Sequence, residues 1–180
     1  MSLLAAVLAR LRERRMPHAL IGASALAHHG VSRATLDIDL LAMGSDCLQR
    51  SSWEELGPRD VEVDVRRGDT DDPLAGVVRF RAGGERPVDL IVAKRGWQRR
   101  VLERAAPALL EEERLPVVQA ADLVLLKLYA GGLQDAWDVR QLLDAAQEPE
   151  RLAAAVEAGL EDLPSESREL WMRVCASGTG

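Results

Sequence analysis

The chain has 180 residues, of which 47% are hydrophobic and 29% charged, and its formal net charge is −6 at neutral pH. This length suits one compact core, or one core with a helical appendage, and the composition excludes a disordered or membrane-embedded chain. The acidic balance argues against nucleic-acid binding through a broad basic face.

The first sixteen residues predict an amphipathic helix. Leu4, Val7, Leu8 and Leu11 recur at helical spacing, and arginines gather at the C-terminal end. A signal peptide would place its positive charge first, followed by a longer apolar run. No apolar stretch of the sequence approaches the roughly 20 residues needed to span a bilayer. We therefore expect a cytoplasmic location and no membrane partner.

The next segments predict two strands and two helices. "HALIGA" indicates a strand that ends at a tight turn, and "SALAHHG" a short helix closed by Gly30. "DIDLLAM" indicates a second strand. "SDCLQRSSWEELG" predicts a helix that begins at the Ser45-Asp46 cap and ends at Gly57.

The second half of the chain changes from strands to helices. "VEVDVRR", "GVVRFRA" and "RPVDLIVA" are strand candidates, "GWQRRVLERA" is helical, and "PALLEEERLPVV" is a charged connection with room for one short strand. Helical periodicity then fills "QAADLVLLKLYAGG", "QDAWDVRQLLDAA", "PERLAAAVEAGLEDL" and "SESRELWMRVCA". We expect an α/β (α+β) core over residues 1–115, followed by a helical section over residues 116–180 that packs on the core.

Isolated carboxylates in apolar strands are the strongest functional signal. Residues i and i+2 of a strand face the same side, so Asp37 and Asp39 are expected to point together. Asp89 stands alone in "PVDLIVA", and if its strand pairs with "DIDLLAM", three carboxylates converge. Like charges at such a site repel unless a cation neutralises them, and a hard divalent ion such as Mg²⁺ prefers oxygen ligands.

A small-residue turn precedes the carboxylates. Gly22 would allow the backbone to approach a ligand closely, and Ser24 would offer a hydroxyl and amide donors to a phosphate. A paired aspartate motif alone is more often the solvated entrance of a strand, and a Gly-x-Ser turn alone is more often a helix cap. The conjunction of the turn, the aspartate pair and the third isolated aspartate favours a site.

These residues resemble a known family. The G-x-S turn, "HG", "R-x-T-x-D-I-D-L" and the later "V-D-L-I" strand are similar to the nucleotidyltransferase fold of the polymerase β type. Within it, the chain most resembles the minimal and AbiEii-like nucleotidyltransferases, many of which belong to toxin–antitoxin systems. The resemblance covers residues 19–146 and implies a nucleotidyltransferase core with a mixed sheet flanked by helices, followed by a C-terminal helical section.

The resemblance also implies roles. Asp37, Asp39 and Asp89 would be the catalytic, metal-binding carboxylates for two Mg²⁺ ions. Gly22, Ser24 and Lys127 would bind the triphosphate of an NTP. Asp122 and Lys127 match a "D-L-x-x-x-K" helix, and Asp135 and Asp138 match a "D-x-x-D" helix.

Two departures from the family qualify these roles. The turn is Gly-Ala-Ser where many members have Gly-Gly-Ser or Gly-Ser. Gly132 and Gln134 stand where AbiEii-like members carry basic residues before the second helix motif. For Lys127 and the helix carboxylates, ordinary surface roles on an amphipathic helix are the competing interpretation.

Other classes that use paired aspartates fit less well. A haloacid-dehalogenase-type phosphatase has an apolar strand before its motif, whereas "VSRAT" precedes Asp37, and a glycosyltransferase normally needs a longer chain. We predict a nucleotidyltransferase that moves an NMP from an NTP to a hydroxyl acceptor, which could be tRNA, a partner protein or a small molecule. A cognate toxin or antitoxin is an expected partner, and the alternative is a non-catalytic antitoxin or regulator with the same fold.

Overall fold

The computed structural model describes residues 1–54, 56 and 60–176, in which the chain forms seven α-helices and seven β-strands. The helices are α1 Leu3–Glu13, α2 Gly22–His28, α3 Gly96–Arg104, α4 Ala120–Ala130, α5 Leu133–Ala145, α6 Pro149–Glu157 and α7 Ser165–Ala176. The strands are β1 His18–Leu20, β2 Ile38–Met43, β3 Glu62–Arg67, β4 Gly76–Arg81, β5 Val88–Ala93, β6 Ala106–Leu110 and β7 Glu113–Val117.

The described strands form one mixed sheet in the order β3-β4-β5-β2-β1-β7-β6. The pairs β2·β5 and β1·β7 are parallel, and the other neighbouring pairs are antiparallel. The predicted fold class, a mixed-sheet α/β core followed by helices, is confirmed. Among the described residues, no helix combines the length and the apolar character needed to cross a membrane.

The chain divides into two compact units. The sheet unit comprises Met1–Ser24 and Ala34–Val118, and the helical unit comprises Ala25–Arg33 and Gln119–Gly180. The sheet unit contains every described strand together with α1 and α3. The division passes through α2, so a segment from the first part of the chain groups with the C-terminal helices.

The core of the sheet unit lies around β5. Val88, Leu90 and Val92 alternate along this strand and are fully buried, as a central strand requires. Phe80 of β4 packs edge-to-face on Trp53, with ring centroids 4.8 Å apart. The alternation of these buried side chains leaves the opposite positions, including Asp89, on a single face of the sheet.

The helix predicted from Ser45 to Gly57 is wrong in its described part. Two 3₁₀ turns, Ser45–Leu48 and Arg50–Trp53, take its place, and Gln49 between them is extended. The carbonyl of Cys47 accepts from the Trp53 indole at 2.9 Å, and that of Leu48 accepts from Arg67 at 2.7 Å. Because these carbonyls are bound by side chains, they do not continue a helical ladder. The predicted end at Gly57 lies outside the described residues.

The charged connection after α3 is a hairpin with two strands, where room for one was predicted. β6 and β7 pair antiparallel, and Pro107 lies opposite Pro116. Proline cannot donate a ladder hydrogen bond, so both positions weaken the sequence signal for a strand. Glu111 lies in the turn with a φ of 55°. This left-handed conformation is uncommon for residues other than glycine, so the sequence did not predict a turn at this position.

The helical unit has its own apolar core. Leu123, Val124 and Leu128 of α4 are buried, as are Val139 and Leu142 of α5. The helical predictions for this part of the chain agree with the structure, apart from a 3₁₀ turn at Leu160–Asp162. Cys47 and Cys175 are free thiols.

Candidate active site

The strands β2 and β5 bring two of the predicted carboxylates together. They pair in parallel with Asp39 opposite Asp89, and directly paired residues in neighbouring strands point to the same face. Asp37 precedes β2, whose first amide, from Ile38, donates to the carbonyl of Pro87 at 2.9 Å. The sheet register therefore places Asp39 and Asp89 side by side at one end of the paired strands.

Gly22 lies against Asp39. A Cβ atom added at Gly22 would lie 2.0 Å from Oδ2 and 2.8 Å from Cβ of Asp39, and the φ of Gly22 is +63°. The neighbouring amide of Ile21 donates to the Asp39 carbonyl at 2.9 Å. Glycine is thus required twice, by the left-handed backbone and by the approach of the carboxylate. Ser24 follows as the third residue of α2 and is partly exposed.

The backbone of Asp37 is held by two neighbours. The Thr35 hydroxyl donates to the Asp37 carbonyl at 3.1 Å and accepts from the Asp37 amide at 3.3 Å. Arg86 donates to the same carbonyl at 3.2 Å, while its other terminal nitrogen binds Glu111 at 3.1 Å. Thr35 and Arg86 thus fix the backbone just before β2.

Arg79 of β4 is the site residue that sequence reasoning missed. It lies opposite Asp89 in the antiparallel β4·β5 pair. Its Nε donates to Asp89 Oδ1 at 2.6 Å, and its Nη2 donates to Asp89 Oδ2 and, at 3.1 Å, to Asp37 Oδ2. The hydrogen bond to Asp89 raises the pKa of Arg79, and the charges of Asp89, Asp37 and Asp39 raise it further. Arg79 therefore stays charged and bridges two of the predicted metal ligands.

The donor chemistry of the carboxylates fits a hard cation such as Mg²⁺, because all of their donors are oxygen atoms on adjacent strands. The geometry of the three carboxylates is less favourable for a metal ion than their chemistry. Among the described residues, no three His, Cys, Asp or Glu side chains form a group ready to hold a metal ion. Arg79 occupies both Asp37 and Asp89 in this structure. The carboxylates thus offer suitable oxygen ligands, but in this structure the positive charge beside Asp37 and Asp89 comes from Arg79.

A cleft of about 420 Å³ lies beside Asp89 within the sheet unit. Arg79 and Asp89 line it, together with the acidic and basic side chains of Asp64, Arg66 and Arg67. Asp64 and Arg66 form an ion pair at 3.0 Å, and Arg67 donates to the Leu48 carbonyl, so the cleft has no simple basic or acidic character. It is large enough for a small hydroxyl compound beside Asp89.

Lys127 belongs to a cluster within the helical unit. Its Nζ binds Asp135 Oδ1 at 2.8 Å and Asp138 Oδ2 at 2.7 Å, and Arg33 also binds Asp138 Oδ2 at 2.7 Å. Burial lowers the pKa of Lys127, but the hydrogen bonds and charges of Asp135 and Asp138 outweigh it, and the net pKa is raised. Asp138 is fully buried and also accepts from Gln134 at 3.3 Å. The triphosphate role of Lys127 stays a prediction.

Comparisons with known proteins concern the fold. Neither a protein-family model nor a curated protein matches the sequence. The solution structure of the antibiotic-resistance factor ANT(2'')-Ia, a nucleotidyltransferase, matches over 88% of this chain and 90% of its own, with a TM-score of 0.55 and 15% identity. The chain has the nucleotidyltransferase fold. A crystal structure of ANT(2'')-Ia in complex with adenylyl-2''-tobramycin matches over 87% of this chain and 96% of its own, with a TM-score of 0.52 and 18% identity.

The likeness to ANT(2'')-Ia concerns the fold and leaves the roles of the site residues to be tested. Within the sheet unit, Gly22 contacts Asp39, Asp39 lies opposite Asp89, and Arg79 binds both Asp89 and Asp37. The roles that the resemblance implies for these residues stay predictions. The signal for Arg79 was present in "GVVRFRA", but it becomes visible only when β4 is paired with β5.

Proposed function

We propose that the protein is a nucleotidyltransferase that transfers an NMP from an NTP to a hydroxyl acceptor in an Mg²⁺-dependent reaction. The observation that carries the proposal is the register of β2 and β5, which sets Asp39 beside Asp89 with Gly22 packed against Asp39. This constellation is built from residues far apart in sequence and lies in a nucleotidyltransferase fold. An ordinary solvated strand entrance would not need a glycine at contact distance from the carboxylate.

In this proposal Asp37, Asp39 and Asp89 hold the metal ions, and two ions are expected. Bound Mg²⁺ supplies Lewis-acid activation of the acceptor hydroxyl and neutralises the charge of the departing pyrophosphate. Asp89 accepts the proton of the acceptor, whose oxygen bonds to the α-phosphorus as the bond to pyrophosphate breaks. Gly22 and Ser24 hold the phosphates at the turn, and Lys127 is the proposed contact to the triphosphate.

The acceptor is the least defined part of the proposal. ANT(2'')-Ia has been captured with an adenylylated tobramycin, so a small hydroxyl compound belongs in any test panel. The balanced charges around the cleft, with Asp64 paired to Arg66, do not favour a polycation in particular. The AbiEii-like sequence motifs add tRNA and a co-encoded toxin or antitoxin to the panel.

The test is transfer of label from each of the four α-³²P NTPs, with Mg²⁺, to total tRNA, to proteins encoded beside the gene and to aminoglycosides and other small alcohols. We expect one acceptor class to be labelled. Asp37→Asn/Asp39→Asn should lose the labelling by at least about a thousandfold, since charge stabilisation by the metal contributes several kcal/mol to the transition state. Asp46→Asn, an exposed carboxylate that accepts from Gln49, is the matched control and should keep wild-type activity.

The second candidate is a non-catalytic binding protein of the same fold, favoured by the ion pairs of Arg79 with Asp37 and Asp89 and by Gly132 and Gln134 in place of basic residues. It predicts that an NTP with Mg²⁺ raises the melting temperature of the wild type but not of Asp37→Asn/Asp39→Asn, without transfer to any acceptor. Absence of both binding and transfer would refute the nucleotidyltransferase assignment of this site.

A further inference from the structure

Arg79 forms ion pairs with two of the carboxylates that the proposed reaction needs, Asp37 and Asp89. Its contact with Asp89 is bidentate, through Nε at 2.6 Å and through Nη2. It contacts Asp37 through Nη2 alone, at 3.1 Å. Bidentate arginine–carboxylate pairs are the stronger and more directional kind. The two contacts are therefore unequal, and the one to Asp37 is the weaker.

The two carboxylates that Arg79 binds also differ in solvent exposure. The Asp89 side chain is 13% exposed and the Asp37 side chain 35%. Water can replace the guanidinium at Asp37 more easily than at Asp89, because Asp89 is enclosed between neighbouring strands. Arg79 itself is directed along the sheet by the β4·β5 register, which sets it opposite Asp89.

We propose that Arg79 is a positioning residue that occupies Asp37 until a divalent cation displaces it there, and that remains on Asp89 to orient this carboxylate. The inference rests on the proposed function, because the cation is the one that the carboxylates would hold for nucleotidyl transfer. It assigns Arg79 two separable effects. Its charge competes with the cation, and its planar fork fixes the direction of Asp89.

The competition predicts a gain when the arginine is removed. The positive charge of Arg79 beside the site repels a divalent cation, even at the effective dielectric of a protein surface. Arg79→Gln should therefore bind Mn²⁺, followed by the loss of its free-ion electron paramagnetic resonance signal, about tenfold more tightly than the wild type. Its melting temperature in EDTA should fall, because Asp37, Asp39 and Asp89 then repel one another with less compensation.

The orienting effect is tested with Arg79→Lys. Lysine keeps the charge but cannot bind a carboxylate through two parallel N–H groups. We expect the Mn²⁺ affinity of Arg79→Lys to stay within about threefold of wild type, while kcat falls and KM for the NTP changes little, since Asp89 loses its fixed direction. A purely structural role for Arg79 would lower stability without this separation of charge and geometry.

Arg81→Gln is the matched control. Arg81 lies two residues further along β4, on the same face of the strand, and is paired with Glu62 at 3.8 Å. Its removal takes away the same charge but leaves the contacts of Arg79 with Asp37 and Asp89 in place. Mn²⁺ affinity and melting temperature in EDTA should remain close to wild type.

The outcomes separate this inference from the proposed function. If wild-type binding of Mn²⁺ is lost in Asp37→Asn/Asp39→Asn but Arg79→Gln binds no more tightly than wild type, the inference about Arg79 is overturned and the proposed function stands. If Arg79→Gln binds Mn²⁺ and the wild type does not, the cation does not displace Arg79 from Asp37, and the inference is overturned in favour of a wild-type site that its own arginine closes. If neither protein binds Mn²⁺, the proposed function is overturned and the inference with it.

Discussion

Gly22 combines a left-handed backbone with contact to Asp39, a proposed metal ligand. Gly22→Ala would place a Cβ atom 2.0 Å from Asp39 Oδ2 at a φ of +63°. The alanine strains the backbone and forces the Asp39 side chain to turn away. We expect the free energy of unfolding to fall by about 1–3 kcal/mol and Mn²⁺ binding to weaken, measured by urea denaturation and metal titration.

Gly83→Ala is the control for this substitution. A Cβ atom at Gly83 meets nothing within 4 Å, and Gly83 has no positive φ. Its stability should match wild type within about 0.5 kcal/mol, as for most surface substitutions. Wild-type stability and metal binding in Gly22→Ala would contradict the close packing of Gly22 on Asp39.

At the residue scale, the sequence revealed the carboxylates better than their partner. Asp37, Asp39 and Asp89 stand out because each interrupts an apolar run. Arg79 does not, because an arginine in an alternating strand is ordinary on a solvated face. Only the β4·β5 register, with Arg79 opposite Asp89, turns it into a site residue.

At the scale of elements, α4 and α5 are joined by a buried charge. Asp138 of α5 is fully buried and accepts from Lys127 and Arg33, each at 2.7 Å. Asp138→Asn removes the negative charge and leaves the cations with fewer partners. Breaking a buried pair in this way is strongly destabilising, and because Lys127 keeps Asp135 we expect a loss of about 2–3 kcal/mol. Urea denaturation followed by far-ultraviolet circular dichroism measures it.

The comparison for Asp138 is Asp144 on the same helix. Asp144 pairs with Arg140 at 2.9 Å on the exposed surface, one helical turn apart. Asp144→Asn should cost about 0.5 kcal/mol or less, because exposed pairs of this kind contribute little. Equal losses in the two variants would mean that the cluster around Asp138 does not stabilise the helical unit.

The elements themselves were predictable where periodicity and burial agree. β5 alternates buried and partly exposed residues along "VDLIVA", and α4 repeats apolar residues at helical spacing. The two errors have different physical causes. Arg67 and Trp53 bind the carbonyls of the predicted helix after Ser45, and Pro107 is tolerated in β6 because that strand lies at the edge of the sheet.

At the scale of the whole molecule, stability should fall on acidification partly through His18. Its Nδ1–H donates to the Met16 carbonyl at 2.9 Å, and among the described residues its buried Nε2 has no hydrogen-bond partner. Burial lowers the pKa of His18 below its ordinary value of 6.5, and the charge of Arg12 lowers it further. The folded chain resists a proton that the unfolded chain accepts below about pH 6.5. The stabilisation is therefore present above that pH and is lost as pH falls through the folded pKa.

His18→Asn isolates this contribution. Asparagine retains a donor near the position of Nδ1 but does not titrate. The difference in free energy of unfolding between wild type and His18→Asn should shrink between pH 7.5 and pH 5, by at most about 1.4 kcal/mol per pH unit. Urea denaturation at several pH values measures it, and a difference that is independent of pH would refute the assignment.

The order of the strands in the sheet and the division of the chain into two units could not be predicted from the sequence. The parallel pair β2·β5 forms between segments that are separated by two other strands, and nothing local specifies that register. The grouping of Ala25–Arg33 with the C-terminal helices likewise depends on distant contacts. The predicted boundary between residues 115 and 116 stays a prediction.

The contact between Gly22 and Asp39 also constrains how these two positions can evolve. A lineage that keeps the carboxylate is bound to keep the glycine, because any larger residue displaces it. A lineage that replaces Asp39 with a smaller residue is released from that steric constraint and keeps only the backbone preference for glycine at position 22. The two positions should therefore change together among relatives, and a glycine lost at the turn should mark the chains whose chemistry has decayed even where Asp89 survives.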